Sequence, residues 1–61
     1  MTADEFKKAQ LRLGLTNAAM AELLRVSVSY VEMLRGGKRS ASGTVRRVIE
    51  QAEELQRGKA T

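Results

Sequence analysis

The sequence contains no cysteine, histidine, proline or tryptophan, and Phe6 and Tyr30 are its only aromatic residues. The lack of cysteine excludes a disulfide framework and thiolate metal sites. The lack of histidine excludes the usual zinc sites, Ser-His and Cys-His nucleophilic pairs and a proton shuttle near neutral pH. Catalysis would depend on carboxylates, lysine or serine alone. We therefore expect a protein that is not an enzyme and that binds no metal, cofactor or small-molecule ligand.

Long apolar runs are also missing. No run approaches the roughly 18 residues of a membrane span, and the amino terminus carries acidic residues where a signal peptide carries basic ones. We expect a cytoplasmic protein. A chain of 61 residues is near the lower size limit for independent folding, so we predict a single domain over residues 1–61, with residues 58–61 frayed. A core with so few aromatics also favours stabilisation by a partner subunit.

Positive charge is concentrated in the middle of the chain. The net charge is +4. Residues 25–47 contain six basic side chains and one acidic one, a balance of +5, whereas the other 38 residues contain five basic and six acidic ones, a balance of −1. The excess positive charge therefore lies in one segment, which favours an anionic partner.

Four segments show the apolar spacing of amphipathic helices, and each follows a hydroxyl residue suited to an N-cap. The predicted helices cover about residues 3–13, 17–25, 28–35 and 42–57, with N-caps at Thr2, Thr16, Ser27 and either Ser40 or Ser42. Their apolar faces consist of Phe6, Ala9 and Leu13, with the polar Gln10 at the same spacing, then Met20, Ala21 and Leu24, then Val31 and Leu34, then Val45, Val48, Ile49, Ala52 and Leu55. The sequence thus predicts a compact all-α domain of four helices.

The second and third predicted helices are separated by a turn of about three residues. Two helices joined in this way pack closely only if the contact residue is small and the turn residue is apolar, and Ala21 and Val26 meet these demands. Val31 and Leu34 then hold the inner face of the third helix. The outward side chains are those of Val28, Ser29, Glu32 and Met33.

The segment NAAMAELLRVSVSYVEMLRGG, residues 17–37, resembles the helix-turn-helix of the lambda-repressor-like family, which includes the phage Cro proteins and small bacterial regulators. The matching positions are Leu15-Thr16 at the start, Asn17 where the family usually has Gln, Ala21, Val26, Val31, Leu34 and the exit Gly37-Lys38-Arg39-Ser40. The similarity extends from Phe6 to Leu55. In size the chain is similar to very short phage-borne autorepressors.

The resemblance implies a sequence-specific transcriptional regulator of double-stranded DNA, acting as a homodimeric repressor on a near-palindromic operator. The base contacts that it implies are Ser27, Val28, Ser29, Glu32 and Met33, and the phosphate contacts are Asn17, Arg35, Lys38, Arg39, Arg46 and Arg47. Two departures from the family stand out. Arg25 occupies the turn position that is usually glycine, where a left-handed backbone costs about 1 kcal/mol, and a fifth helix found in many members has no counterpart.

Several alternatives remain open at this stage. Val28, Tyr30 and Met33 are apolar enough to be partly buried or to contact a protein, and Arg46 and Arg47 can form surface pairs with Glu50. Two leucines, Leu11 and Leu23, are left over after the core is assigned. Together with Leu55 they are candidates for a dimer contact. As functions, an antitoxin-like protein-interaction module and a DNA-architectural or recombination accessory factor compete with the regulator.

Overall fold

The computed structural model describes residues 1–59, which form four α-helices and no β-strand. The helices are α1 (Ala3–Leu13), α2 (Asn17–Leu24), α3 (Val28–Gly36) and α4 (Gly43–Lys59). α2 packs against α3 and α4, and α1 packs against the same two helices. The radius of gyration of 10.9 Å is that of a compact chain of this length. The all-α prediction is confirmed.

Each helix begins where a hydroxyl side chain accepts a hydrogen bond from its first turn. At α1 a capping box is complete, since Thr2 Oγ1 accepts from the Glu5 amide at 3.2 Å and Glu5 Oε1 accepts from the Thr2 amide at 2.9 Å. The hydrogen bond that the Thr2 amide donates to the Glu5 carboxylate is the main cause of the lowered pKa of Glu5, and the Thr2 side chain lowers it further. Of the two serines considered for α4, Ser42 is the one used, because its Oγ accepts from the Val45 amide at 3.3 Å. The remaining N-caps are Thr16 and Ser27.

The turn between α2 and α3 contains a left-handed residue. Arg25 has φ 58° and ψ 46°, and it is the only residue other than glycine with positive φ in the described part of the chain. Because Arg25 caps the helix instead of continuing it, α2 ends at Leu24, one residue before the predicted end. The left-handed conformation considered for this turn position is therefore observed, and the cost of placing a residue with a Cβ there stays a prediction.

The core lies between all four helices and follows the predicted apolar faces. Its buried side chains are Phe6, Ala9, Met20, Ala21, Leu24, Val31, Leu34, Val45 and Ile49. Leu13, Leu15, Val26 and Val48 were expected inside the core, but they are only partly buried and pack against its edge. Leu23 also packs against the core, so its assignment as a surplus leucine was wrong.

α4 extends beyond the helices that it packs on. With 17 residues it is about 26 Å long, whereas α1 to α3 have 8 to 11 residues each. Leu55 therefore stays 69% exposed, although its spacing placed it on the apolar face. Nearer the core, Arg12 of α1 pairs with Glu53 of α4 at 2.7 Å.

The carboxyl end of α4 also differs from the prediction. Gly58 was expected to stop the helix after Arg57, but the helix continues through Gly58 to Lys59. A glycine lowers helix stability by only about 1 kcal/mol relative to alanine and does not by itself end a helix. The predicted fraying includes residues 60–61, which lie outside the described residues. Among the helices described, none combines the length and the apolar character that a membrane crossing requires.

Candidate nucleic-acid interface

The two faces of α3 differ in exposure in the way that the spacing predicts. Val31 and Leu34 are fully buried or nearly so. On the opposite face Ser29 and Glu32 are exposed, and Val28 is 41% exposed. The outer face of α3 is therefore open to a partner. A shallow depression on this face is lined by Ser29, Glu32, Met33, Gly36 and Lys38.

Residues at the margin of this face are more constrained. Ser27 caps α3, and its Oγ accepts a hydrogen bond from the Tyr30 amide at 3.1 Å. A serine hydroxyl that accepts one bond can still donate its own proton, so a base contact from Ser27 stays a prediction. Tyr30 and Met33 are both half-buried, and Tyr30 packs against the core. Partial burial is thus observed for these two residues, but Val28 is exposed.

The basic loop after α3 is fixed to the end of that helix. Gly37 adopts a left-handed conformation with φ 78°, which turns the chain. The amides of Lys38 and Arg39 then donate to the carbonyl of Met33 at 3.0 and 3.4 Å. Both side chains are exposed. The backbone of two basic residues is therefore held at the carboxyl end of α3, and their side chains are exposed there.

Asn17 and Arg35 meet at a third residue, Gln10, which is only 5% exposed. Gln10 Nε2 donates to the carbonyl of Leu15 at 3.0 Å and to Asn17 Oδ1 at 2.9 Å. Arg35 NH1 donates to Gln10 Oε1 at 2.8 Å. One buried amide therefore joins α1, the start of α2 and the end of α3, and each of its polar atoms has a partner. These residues line a groove that Lys7 and Leu11 also border.

Sequence reasoning placed Gln10 on the inner face of α1 but gave it no function. The available signal was the polar side chain itself, which stands between Phe6, Ala9 and Leu13 at helical spacing. A buried amide requires hydrogen-bond partners, so a residue of this kind predicts a polar contact inside the fold. Its partners are 7 and 25 positions away in the sequence, and helical spacing does not reveal them.

The two arginines of α4 that were predicted to contact phosphates are exposed. Arg46 pairs with Glu50 at 3.1 Å, so the alternative of a surface ion pair is observed for Arg46. Such exposed pairs contribute about 0–1 kcal/mol, and a phosphate can displace them. Arg47 lies beside Gly43 and Thr44 at the start of the helix. Phosphate contacts from both residues stay predictions.

No protein family, curated protein or solved structure matches the chain. We therefore infer its function from the arrangement above. That arrangement consists of an exposed helix face with polar and small apolar side chains, two exposed basic residues at its carboxyl end, and a polar groove at the start of the preceding helix. Basic side chains beside an exposed face favour an anionic partner.

Proposed function

We propose that the protein is a sequence-specific DNA-binding transcriptional regulator with a lambda-repressor-like helix-turn-helix, formed by α2, the turn at Arg25 and α3. The observation that carries the proposal is the coincidence of the exposed outer face of α3 with the positively charged part of the chain. In this mode the protein acts as a homodimer on a near-palindromic operator and represses by covering a promoter.

α3 enters the major groove with its outer face against the base edges. Glu32 accepts a hydrogen bond from a cytosine amino group, and Ser29 bonds several base edges through its hydroxyl. Val28 and Met33 rest on thymine methyl groups. None of the proposed base contacts is an arginine paired with guanine, so DNA shape contributes to recognition alongside direct contacts.

Phosphate contacts position the helix in the groove. Lys38 and Arg39 lie at one end of α3, and Asn17 lies at the amino terminus of α2, where the helix dipole favours an anion. With about four to six phosphates neutralised per subunit, the logarithm of the binding constant falls with the logarithm of salt concentration at a slope of about −4 to −5 per subunit.

The extended part of α4 supports a dimer. Leu55 is exposed there and lines a shallow depression. In an antiparallel pair of α4 helices related by a two-fold axis near Leu55, the two Leu55 side chains lie against each other. Binding to two half-sites one helical turn apart requires the two copies of α3 to lie about 34 Å apart.

Selection of duplexes from a random-sequence pool, followed by footprinting, tests the proposal directly. We expect a near-palindromic site with two protected half-sites. Arg39→Glu should abolish binding because it places a negative charge against the phosphate backbone. Lys8→Glu is the matched control, since it makes the same charge change at an exposed position of α1 outside residues 25–47. Failure to enrich any duplex, or binding that is insensitive to salt and to Arg39→Glu, would contradict the proposal.

One observation favours a protein partner as a second candidate function. Leu11 is 79% exposed and lies beside the groove that contains Asn17 and Arg35, away from the core. An antitoxin-like module would use such an apolar side chain to bind a protein, and its binding would not depend on Arg39. A third candidate, a DNA-architectural factor, would bend its site strongly, which a circular-permutation gel assay detects.

A further inference from the structure

The orientation of the Gln10 amide is fixed by partners of opposite polarity. The carbonyl of Leu15 can only accept a hydrogen bond, so Nε2 must face it. The guanidinium of Arg35 can only donate, so Oε1 must face Arg35. Rotating the amide by half a turn would place donor against donor and acceptor against acceptor. The second proton of Nε2 then points to Asn17.

This orientation determines which atom of Asn17 faces outward. Because Gln10 presents a donor, Asn17 must present its Oδ1, as observed at 2.9 Å. The amino group of Asn17, Nδ2, is left as the outward donor at the start of α2. Arg35 is half-buried, and its bond to Gln10 holds the guanidinium in the same groove. Lys7 at the rim of the groove adds a third positively polarised group.

We propose that Gln10 is a positioning residue for one backbone phosphate of duplex DNA, which binds in this groove between Asn17 and Arg35. The inference rests on the proposed function. Gln10 acts through its neighbours: it presents the amino group of Asn17 to the phosphate and limits the freedom of Arg35. If Gln10 were only structural, its substitution would lower the stability of the protein without changing the affinity of the folded protein for DNA.

The test is a double-mutant cycle on the duplex that the wild-type protein selects, with affinity measured at fixed salt on folded protein. Asn17→Ala should weaken binding about tenfold or more in the wild type, as expected for one hydrogen bond to a charged group. Gln10→Met removes the three hydrogen bonds while keeping side-chain length. In the Gln10→Met background, Asn17→Ala should change the affinity less than twofold, because Asn17 is no longer held toward the phosphate.

A second variant keeps the test decisive if Gln10→Met does not fold. Gln10→Glu still accepts from Arg35 but cannot donate, so Asn17 turns its amino group inward. The added charge of Gln10→Glu alters the affinity by itself, so the quantity compared is the further change in affinity that Asn17→Ala causes in this background. We expect Asn17→Ala to have little effect there, as in Gln10→Met. Lys8→Met is the control for a substitution on α1 outside the groove, and in that background Asn17→Ala should retain its full effect.

The outcomes separate this inference from the function on which it rests. If the wild type binds the selected duplex with the expected dependence on Arg39, but Asn17→Ala costs the same in every Gln10 background or costs nothing in the wild type, the positioning inference is overturned alone. If the wild type selects no duplex, the proposed function and the inference fail together. A loss of thermal stability in Gln10→Met with unchanged affinity of the folded protein would assign Gln10 a structural function only.

Discussion

Arg25 is held in a left-handed conformation that a glycine adopts at no steric cost. In this conformation a residue with a Cβ destabilises the folded state by about 1–2 kcal/mol. Substitution by glycine removes this cost, but the larger unfolded-state entropy of glycine offsets about 0.5–1 kcal/mol of the stabilisation. We therefore expect Arg25→Gly to stabilise the protein by up to about 1 kcal/mol. In a domain of this size that corresponds to a rise of a few degrees in Tm, measurable by thermal denaturation followed by circular dichroism.

Arg25→Ala separates the backbone effect from the loss of charge. Alanine also removes the guanidinium but retains the Cβ, so it should leave the melting temperature near that of the wild type. An unchanged or lower Tm for Arg25→Gly would show that the turn is not strained. An equal rise for both variants would instead assign the effect to relief of repulsion within the positively charged segment.

Residue-level predictions from the sequence succeed where the cause is local. The buried positions Val31 and Leu34 follow from their spacing, whereas the turn position of Arg25 was indicated by resemblance to a family that usually has glycine there. The bonds of Gln10 are not local, since they join three helices. The sequence therefore nominated Asn17 and Arg35 separately, and their shared partner becomes visible only when the helices are packed.

At the scale of the element, α1 carries a pH-sensitive cap. The hydrogen bond from the Thr2 amide holds the pKa of Glu5 below its ordinary value of 4.5. A carboxyl with a lowered folded-state pKa stabilises the fold fully above its unfolded pKa, and this contribution is lost as the pH falls through the folded pKa. Glu5→Gln should therefore lower stability at pH 7 and should also weaken the dependence of Tm on pH below about 4.5.

The test compares Tm at pH 7 and near pH 3 for the wild type, Glu5→Gln and a control, Glu22→Gln. Glutamine can still accept the bond from Thr2 in a capping box, so the variant removes the titration without removing the acceptor. Glu22→Gln is the control, because Glu22 is an exposed carboxyl on α2. We expect the control to lose as much stability in acid as the wild type does. Identical pH dependence of Glu5→Gln and the wild type would contradict the assignment.

Helix starts are predictable in this chain to a degree that helix ends are not. Each start is marked by a side chain that bonds to the backbone of its own first turn, as Thr2 and Ser42 do. Ends depend on whether the chain turns away, which glycine permits but does not force. Gly14 and Gly37 turn the chain in left-handed conformations, whereas Gly58 continues α4.

At the scale of the whole molecule, the length of α4 relative to its neighbours decides which apolar residues become buried. Periodicity identifies the face on which Val45, Ile49 and Leu55 lie, but it does not show where the opposing helices end. The first two are buried in the core, and Leu55 is exposed beyond it. Single exposed leucines are common on protein surfaces, so pairing of two chains through Leu55 is a prediction with its own test.

Leu55→Lys should convert a dimer into a monomer, because it places a charge on each side of the two-fold axis. Sedimentation equilibrium measures the change in oligomeric state. Under conditions where the wild type and Leu55→Lys are both monomeric, their melting temperatures should differ little, since the side chain of residue 55 is exposed. The affinity for a two-half-site duplex should fall strongly, whereas weak binding to a single half-site should persist. The control is Leu11→Lys, which adds the same charge at a leucine of similar exposure on α1 and should leave the dimer intact. If Leu55→Lys remains dimeric and Leu11→Lys dissociates, the pairing surface lies on α1. If the wild type binds DNA as a monomer, the two-fold arrangement is wrong, because a single copy of α3 would then supply all of the recognition.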